Sequence, residues 1–313
     1  MEEQKPIFNI IDEICKEKNI EQKMLSFDWI RELKKDNKIH HIIRYQFDLN
    51  SANAYHIAND KYATYTVLKE NNIPMIEHVM LFSPNTRSAY YDENYIQKVK
   101  QMLLETDNKL IIKANDSCQG RDVYCVNNEK SAKKVIEKMF KENKDSISLC
   151  PYVDIDFEYR VVVLDGEVLY LYKKRKPFVV GNGKNTIREL IDEKYSIDIE
   201  FSFVKILNFD YIPFENEEII ISWKHNLSGG AEPVVVDENE ENIDIIKNIA
   251  INAAKAIGIK FATVDIASTT QKELTVVEIN GSVCMNKFAE LIPDGYNIAK
   301  NIYSKAIDKM FEI

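Results

Sequence analysis

The chain has no CxxC pair, no HExxH, no Walker A phosphate loop, and no apolar run near the roughly 20 residues that a membrane helix needs. Each absence removes a class of protein. Five cysteines (Cys15, Cys118, Cys125, Cys150 and Cys284) form an odd set without metal spacing, which fits a reducing compartment rather than a disulfide or zinc framework. They read as small buried or half-buried residues. The histidines show no metal spacing either, and His40 and His41 read as surface residues entering a strand. Repeats, low-complexity runs and disordered linkers are also missing. Positive charge is in deficit: the formal net charge is −9, which disfavours a generic grip on nucleic acid or an anionic membrane but leaves room for a local basic site. The stretch MEEQKPIFNI carries acids where a signal peptide needs bases. The expectation is a cytoplasmic protein with no nucleic-acid or membrane partner.

What is present is an alternation of helical and strand patterns over 313 residues, long for one core and suited to two or three packed subdomains. In residues 1–80, IIDEICKEKN has apolar residues at helical spacing, KIHHIIRYQF reads as one strand, and ANDKYATYTVLKENNIP reads as one helix ending at Asn-Asn and Pro74. That part predicts an α/β domain. Residues 81–174 carry strand-like runs (KLIIKA, DVYCV, SISLCPYV, YRVVVL, EVLYLYKK) around the helix SAKKVIEKMFKEN, an α+β pattern with an antiparallel sheet. Asp165-Gly166 between YRVVVL and EVLYLYK is a hairpin signal. Residues 175–313 hold a Gly-punctuated loop, the helix TIRELIDEKY, a helix ended by Gly258, the strands FATVDIA and TVVEIN, and a terminal helix from about Tyr296.

TVVEING, Thr275 to Gly281, has the apolar residues of a buried strand, yet Glu278 and Asn280 sit two apart and so share a face. Upstream, KFATVDIASTTQKELTVVEIN reads as strand, turn, strand. A turn centred near Gln271 and Lys272 places residues whose numbers sum to about 543 opposite each other, so Asp265 faces Glu278. Facing carboxylates repel. A divalent cation between them explains the pattern, and an all-oxygen donor set favours Mg²⁺ or Mn²⁺ over zinc. Because Mg²⁺ commonly completes its shell with phosphates, a nucleotide follows. A polar face open to water explains the hairpin equally well at this point.

Other constellations are weaker one by one. LIIKANDSCQGRDVYCV places Lys113 at the end of an apolar strand before a small polar loop, which suits phosphate or an ordinary hairpin. Glu158 and Arg160 share a face at the head of a strand, where a carboxylate can accept ribose hydroxyls; a surface ion pair fits as well. Lys173, Lys174, Arg175 and Lys176 concentrate positive charge in an acidic chain, usually the mark of a solvated face. ISWKHNLSGGAEP combines Lys224, Asn226 and Gly229-Gly230, a set for an oxyanion or a tight turn. Lys61 opens a helix, where a lone lysine is normally at the surface.

Taken in order, these segments resemble the ATP-grasp superfamily of carboxylate-amine ligases, in the branch with cyanophycin synthetase, glutathione synthetase and ribosomal-protein glutamate ligases. The matching stretches are DKYATYTVLKENNIP, FEYRVVVL, VVGNGKNTIRELI, HNLSGG and VDIASTTQKELTVVEIN, from about Asp60 to the C-terminal end. The resemblance implies an ATP-grasp fold: an N-terminal α/β domain and two α+β domains clasping ATP. It further implies that Lys61, Lys113 and Lys173 contact ATP, with the loop containing Ser117, Gln119 and Gly120 over the phosphates. Cys150, Pro151, Tyr152 and Val153 would offer backbone groups to adenine, and Glu158 would hold the ribose. Asp265, Glu278 and Asn280 would bind two Mg²⁺, with Mn²⁺ as a substitute. Arg175, Lys224 and Asn226 would meet the γ-phosphate and the developing acyl phosphate. The sequence departs from the family pattern at Lys224, where relatives carry arginine, at Asn182, and in the single glycine of the Ser117–Gly120 loop.

The implied activity joins a carboxylate and an amine, small molecules or peptides, through an acyl phosphate, with release of ADP and phosphate. Asp265→Asn is expected to abolish that release and leave the fold intact. Met285, Lys287 and Phe288 follow the hairpin closely enough to line an acceptor pocket, although plain packing accounts for them better. Two other readings stand beside the ligase: an ATP-binding regulatory module without catalysis, and a kinase forming a stable phosphate ester. Homo-oligomerisation is open.

Overall fold

Helix Pro6–Glu17 starts with proline at its first position, where the missing N–H is no loss, and buries Ile7, Ile10, Ile11 and Ile14 at helical spacing. In the computed structural model, which describes residues 5–86, 90–116, 122–195, 208–237 and 239–312, this helix packs on the terminal helix Gly295–Phe311. The chain divides into two units. The first comprises Met1–Met75, Glu158–Lys173 and Pro233–Ile313; the second comprises Ile76–Phe157 and Lys174–Glu232.

In the first unit an antiparallel meander follows the first helix, with strands Glu21–Leu25, Ile30–Lys35, Lys38–Ile43 and Gln46–Phe47. The single strand expected over KIHHIIRYQF is therefore two. Arg44 takes a left-handed φ of 54°, which turns the chain back so that Ile42 pairs with Phe47. The single helix expected over ANDKYATYTVLKENNIP is likewise split, into Ala52–Asn59 and Lys61–Glu70. Asp60 leaves helical geometry at φ −104°, ψ 111° and caps the second helix by accepting from the Ala63 N–H at 2.7 Å.

The central sheet of this unit has five strands in the order Glu232–Val235, Glu167–Arg175, Ile155–Leu164, Phe261–Thr269, Leu274–Asn280. The expected Asp165-Gly166 turn is present, with both residues at positive φ (49° and 87°). One face of the sheet is apolar. Val161, Val163, Val264, Ile266, Val276 and Ile279 pack there with Ala54 and Leu68 and with Ile246, Ala250 and Ala253 of helix Ile243–Ile257. Gly258, at φ 77°, ends that helix.

The second unit contains a four-stranded antiparallel sheet in the order Val79–Phe82, Ser146–Pro151, Leu110–Ala114, Val123–Val126. Helices Tyr95–Glu105 and Glu129–Lys141 cover it through Val99, Leu103, Ala132, Ile136 and Met139. A smaller pair, Phe178–Val180 with Glu218–Ile220, packs on helix Ile187–Lys194, whose start is a full capping box between Thr186 and Glu189.

Candidate functional site

The opposite face of the central sheet is polar, and the register explains why. Thr263 pairs with Asn280, Val264 with Ile279, and Asp265 with Glu278, each pair summing to 543. Directly opposed residues share a face, so Thr263, Asp265, Glu278 and Asn280 stand together while Val264 and Ile279 face the core. Beyond Asp265 the register slips by one, so that Ile266 pairs with Val276 and Val277 is left over as a β-bulge. The bulge has a clear effect. It lets Val276 face the apolar core while Glu278, two residues further on, faces the polar side.

Asp265 is 3% exposed. Its compensating charge comes from the neighbouring strand: Arg160 donates from Nε to Oδ1 at 2.8 Å and from Nη2 to Oδ2 at 2.7 Å, a bidentate fork. Burial opposes the charge of Arg160, but the Asp265 carboxylate and the two hydrogen bonds hold its pKa well above the ordinary value. The surface Glu158–Arg160 pair allowed by sequence does not form the principal contact, since Glu158 is itself buried and Arg160 faces Asp265. Tyr172 lies fully buried on the same side, and burial pushes its phenol up to about 12. Its ring packs at 4.8 Å on Phe288.

Asp265, Glu278 and Asn280 suit a hard cation, because all three offer oxygen. Asn280 supplies a further sign: its Nδ2 is buried and makes no hydrogen bond, so the amide is incompletely satisfied by the protein and is suited to an acceptor such as a phosphate oxygen. Among the described residues, no group of three or more His, Cys, Asp or Glu side chains could hold a metal ion. A cation placed among Asp265, Glu278 and Asn280 would meet two carboxylates and one amide, and other oxygens would have to complete its shell.

The remaining residues of the first unit depart from surface expectations. Lys61, at the first position of its helix, is 7% exposed rather than solvated. Lys173 pairs with Glu240 at 2.6 Å and lies 5.5 Å from the Tyr159 ring centroid, while the Tyr159 hydroxyl also donates to Glu240. Glu240 lay in a charged stretch, DENEENI, with nothing in the local pattern to single it out. Arg160 was visible on the face of Glu158, but its partner is 105 residues away and became visible only with the sheet order.

In the second unit, Lys113 is buried at the end of its strand, between Val123 and Ser148. The loop residues Ser117, Gln119 and Gly120, and Cys118, lie outside the described residues. Cys150 and Pro151 end a strand paired with Ile111 and Leu110, and the Tyr152 N–H donates to the Lys109 carbonyl at 3.1 Å. The Tyr152 ring meets Trp223 edge-on at 5.8 Å, and Val153 is half-buried. Arg175 lies over the Phe178 ring at 3.8 Å and pairs with Glu218. Lys224 is half-buried. Asn226 closes the HNLSGG turn by accepting from the Ser228 N–H at 3.2 Å and hydroxyl at 3.1 Å, and Gly230 takes the left-handed position at φ 91°. Cys15, Cys125, Cys150 and Cys284 are free thiols. Met285 and Phe288 are buried packing residues, and Lys287 pairs with Glu290 at 2.8 Å. No helix among the described residues is long and apolar enough to cross a membrane.

Comparison with known proteins agrees with this architecture. Residues 222–306 match the RimK-like ATP-grasp domain. The glutathione biosynthesis bifunctional protein of Clostridium perfringens is 27% identical over 252 residues, which cover 74% of this chain and 30% of the relative. Cyanophycin synthetase of Geminocystis herdmanii is 22% identical over 281 residues, covering 82% of this chain and 30% of that protein. Among solved structures, a bifunctional glutathione synthetase from Pasteurella multocida superposes with a TM-score of 0.56 at 20% identity, over 96% of this chain and 43% of the other. The chain thus has the ATP-grasp fold, and it spans less than a third of the length of the two curated relatives.

Proposed function

We propose that this protein is an ATP-dependent carboxylate–amine ligase, releasing ADP and phosphate. The observation that carries the reading is the in-register hairpin that gathers Asp265, Glu278 and Asn280 on one face, within the segment that matches a RimK-like ATP-grasp domain. The relatives named for glutathione and cyanophycin synthesis support an amide-forming reaction.

In this reading the nucleotide contacts are those that the ATP-grasp resemblance implies. Lys61, Glu158 and Lys173 belong to the first unit; Lys113, the 117–120 loop and Cys150–Val153 belong to the second. Glu158 accepts from ribose hydroxyls, and Lys61, Lys113 and Lys173 neutralise phosphate oxygens. Asp265, Glu278 and Asn280 hold Mg²⁺, two ions in the full proposal. When bound there, the metal would supply charge neutralisation of the triphosphate. Arg175, Lys224 and Asn226 steady the γ-phosphoryl oxygens as the group passes to the substrate carboxylate, and the amine then displaces phosphate from the acyl phosphate. Catalysis of this kind is positioning and electrostatics, with no covalent enzyme nucleophile. The division at residues 80 and 174 into an N-terminal domain and two clasping domains is part of the same proposal.

The test is a matrix of carboxylates against amines, read by ADP release and by product mass. A ligase gives ADP only when both substrates are present, and a product lighter by one water than their sum. A phosphorylated single substrate would instead establish a kinase. ATP binding without turnover across the matrix would establish a silent module, a reading that the engagement of Asp265 by Arg160 keeps in view.

A further inference from the structure

The polar face of the central sheet contains a positive charge that no oxygen-ligand scheme accounts for. Arg160 engages both oxygens of Asp265, and its side chain is 19% exposed against 5% for the aspartate. Before any cation arrives, one of the two carboxylates in the proposed donor set is therefore already paired, and Glu158, two residues from Arg160 on its strand, adds to the negative charge around the guanidinium. Among the described residues Glu278 forms no ion pair, and Asn280 is neutral, so Glu278 is the donor whose charge is not taken up by a salt bridge. Each Asp265 oxygen has lone pairs beyond the one Arg160 occupies, so the fork does not block coordination; it changes the electrostatics of the site.

We propose that Arg160 is a positioning residue and counter-ion that sets the metal affinity of this face so low that a divalent cation is held only together with a polyphosphate. The inference rests on the ligase reading for the identity of the metal donors. The physical reasoning has two parts. A guanidinium beside a divalent ion repels it in a medium of low dielectric, where one unit charge has a large effect on affinity. The protein's donor set, two carboxylates and an amide, is also too small to fill the shell of a hard cation. Phosphate oxygens remedy both deficits, by adding ligands and by adding the negative charge that Arg160 cancels. Arg160 also fixes the plane of the Asp265 carboxylate, so metal and phosphate meet a preset ligand.

The experiment measures Mn²⁺ retained with the protein after ultrafiltration, with Mn²⁺ alone and with Mn²⁺ plus a non-hydrolysable ATP analogue, against protein-free controls that hold the same Mn²⁺ and analogue. The wild-type protein is expected to bind Mn²⁺ at least about a hundredfold more weakly without the analogue than with it. Arg160→Gln, which keeps a hydrogen-bond donor for Asp265 but removes the charge, is expected to gain nucleotide-independent Mn²⁺ affinity by about tenfold or more. Arg160→Lys keeps the charge and should stay within about threefold of wild type for Mn²⁺ alone, while losing the fork and hence raising the KM for Mg²⁺ in turnover. A thermal melt of each variant with and without Mn²⁺ reports folding in the same samples, and Mn²⁺ alone should raise the Tm of Arg160→Gln but not of wild type. Tight Mn²⁺ binding by wild type without nucleotide overturns the inference, and so does an Arg160→Gln variant with unchanged affinity. Failure of the analogue to recruit Mn²⁺ to the wild-type protein would instead overturn the nucleotide and metal reading itself. Should Arg160→Gln not fold, Arg160→Lys decides: a gain of nucleotide-independent affinity with the charge retained refutes the counter-ion role, and affinity held at the wild-type level supports it.

Discussion

Asp265→Asn is the natural first variant for the metal hypothesis, and the structure changes what it should do. The substitution keeps the shape but replaces one acceptor oxygen with an amide donor, which then faces a guanidinium N–H. It removes one of the two hydrogen bonds from Arg160, at 2.8 and 2.7 Å, and leaves the positive charge without its counter-ion. Removing one member of a fully buried pair costs about 3–5 kcal/mol. Here 19% of the Arg160 side chain reaches solvent and one amide oxygen still accepts, so a loss of about 2–3 kcal/mol is expected. The fold then does not pass through unharmed, and lost ADP release in this variant reports stability as well as chemistry. Glu278→Gln is the cleaner probe, because Glu278 is half-buried and its substitution should cost no more than about 1 kcal/mol. Urea unfolding followed by circular dichroism, with the slope m compared across variants, checks both values. An Asp265→Asn protein within about 0.5 kcal/mol of wild type would refute the claim that the fork is a stabilising buried pair.

Three other perturbations test the same region. Tyr303→Phe removes a buried hydroxyl that accepts from the Met285 N–H at 2.9 Å and donates to the Val283 carbonyl at 3.0 Å, so stability should fall by about 2–3 kcal/mol in urea unfolding. Gly281→Ala places a methyl 2.6 Å from Cδ2 of Tyr55, whose hydroxyl meets Ser282 Oγ at 3.1 Å. A loss of about 1–3 kcal/mol is expected, and Tyr55→Leu in the same chain should restore part of it in a thermal melt. Tyr172 is buried, and that burial raises its pKa from 10.0 to about 12. Its folded pKa lies above the unfolded value, so its contribution is complete below pH 10 and disappears as the pH rises to 12. Up to about 3 kcal/mol is involved. Denaturation across that window should be steeper in wild type than in Tyr172→Phe, and equal slopes would show that the phenol is not the titrating group.

The parts of the fold that sequence revealed are those whose cause is local. Asp165-Gly166 announces its hairpin because only a few residues accept positive φ at both turn positions. The pairing of Asp265 with Glu278 follows from turn position and the two-residue period of a strand. What stayed hidden depends on distant neighbours. The bulge at Val277 has no sequence signature, because it arises where the apolar core reclaims Val276. The break at Asp60 was masked by a helical pattern on both sides, although an aspartate followed by a lysine and a run of helix formers carries the capping signal. Lys61 read as a surface lysine because burial is not a property of its own turn. Glu240 and Arg160 find partners only once the strands are ordered side by side.

These hidden partners share one feature. Arg160 and Lys173, both on strands of the central sheet, are each held by a carboxylate: Asp265 for the first, Glu240 for the second. Leaving Asp265 unpaired where it is buried would cost more than the pair does, which is reason enough for that pair to exist in the absence of ligand. Pairing also bears on binding. Under the proposed function, a triphosphate would gain from Lys173 only the difference between its own attraction and that of Glu240, so affinity would depend on exchange rather than on a vacant charge. The two pairs are unequal in this respect. Glu240 is about as exposed as Lys173, at 20% against 18%, and a carboxylate near solvent can be displaced at little cost. Asp265 is held by two hydrogen bonds and is almost fully buried, so Arg160 cannot leave it without stranding a charge. Under the proposed function, Lys173 would therefore be the group that changes partners on polyphosphate binding, and Arg160 the one that stays.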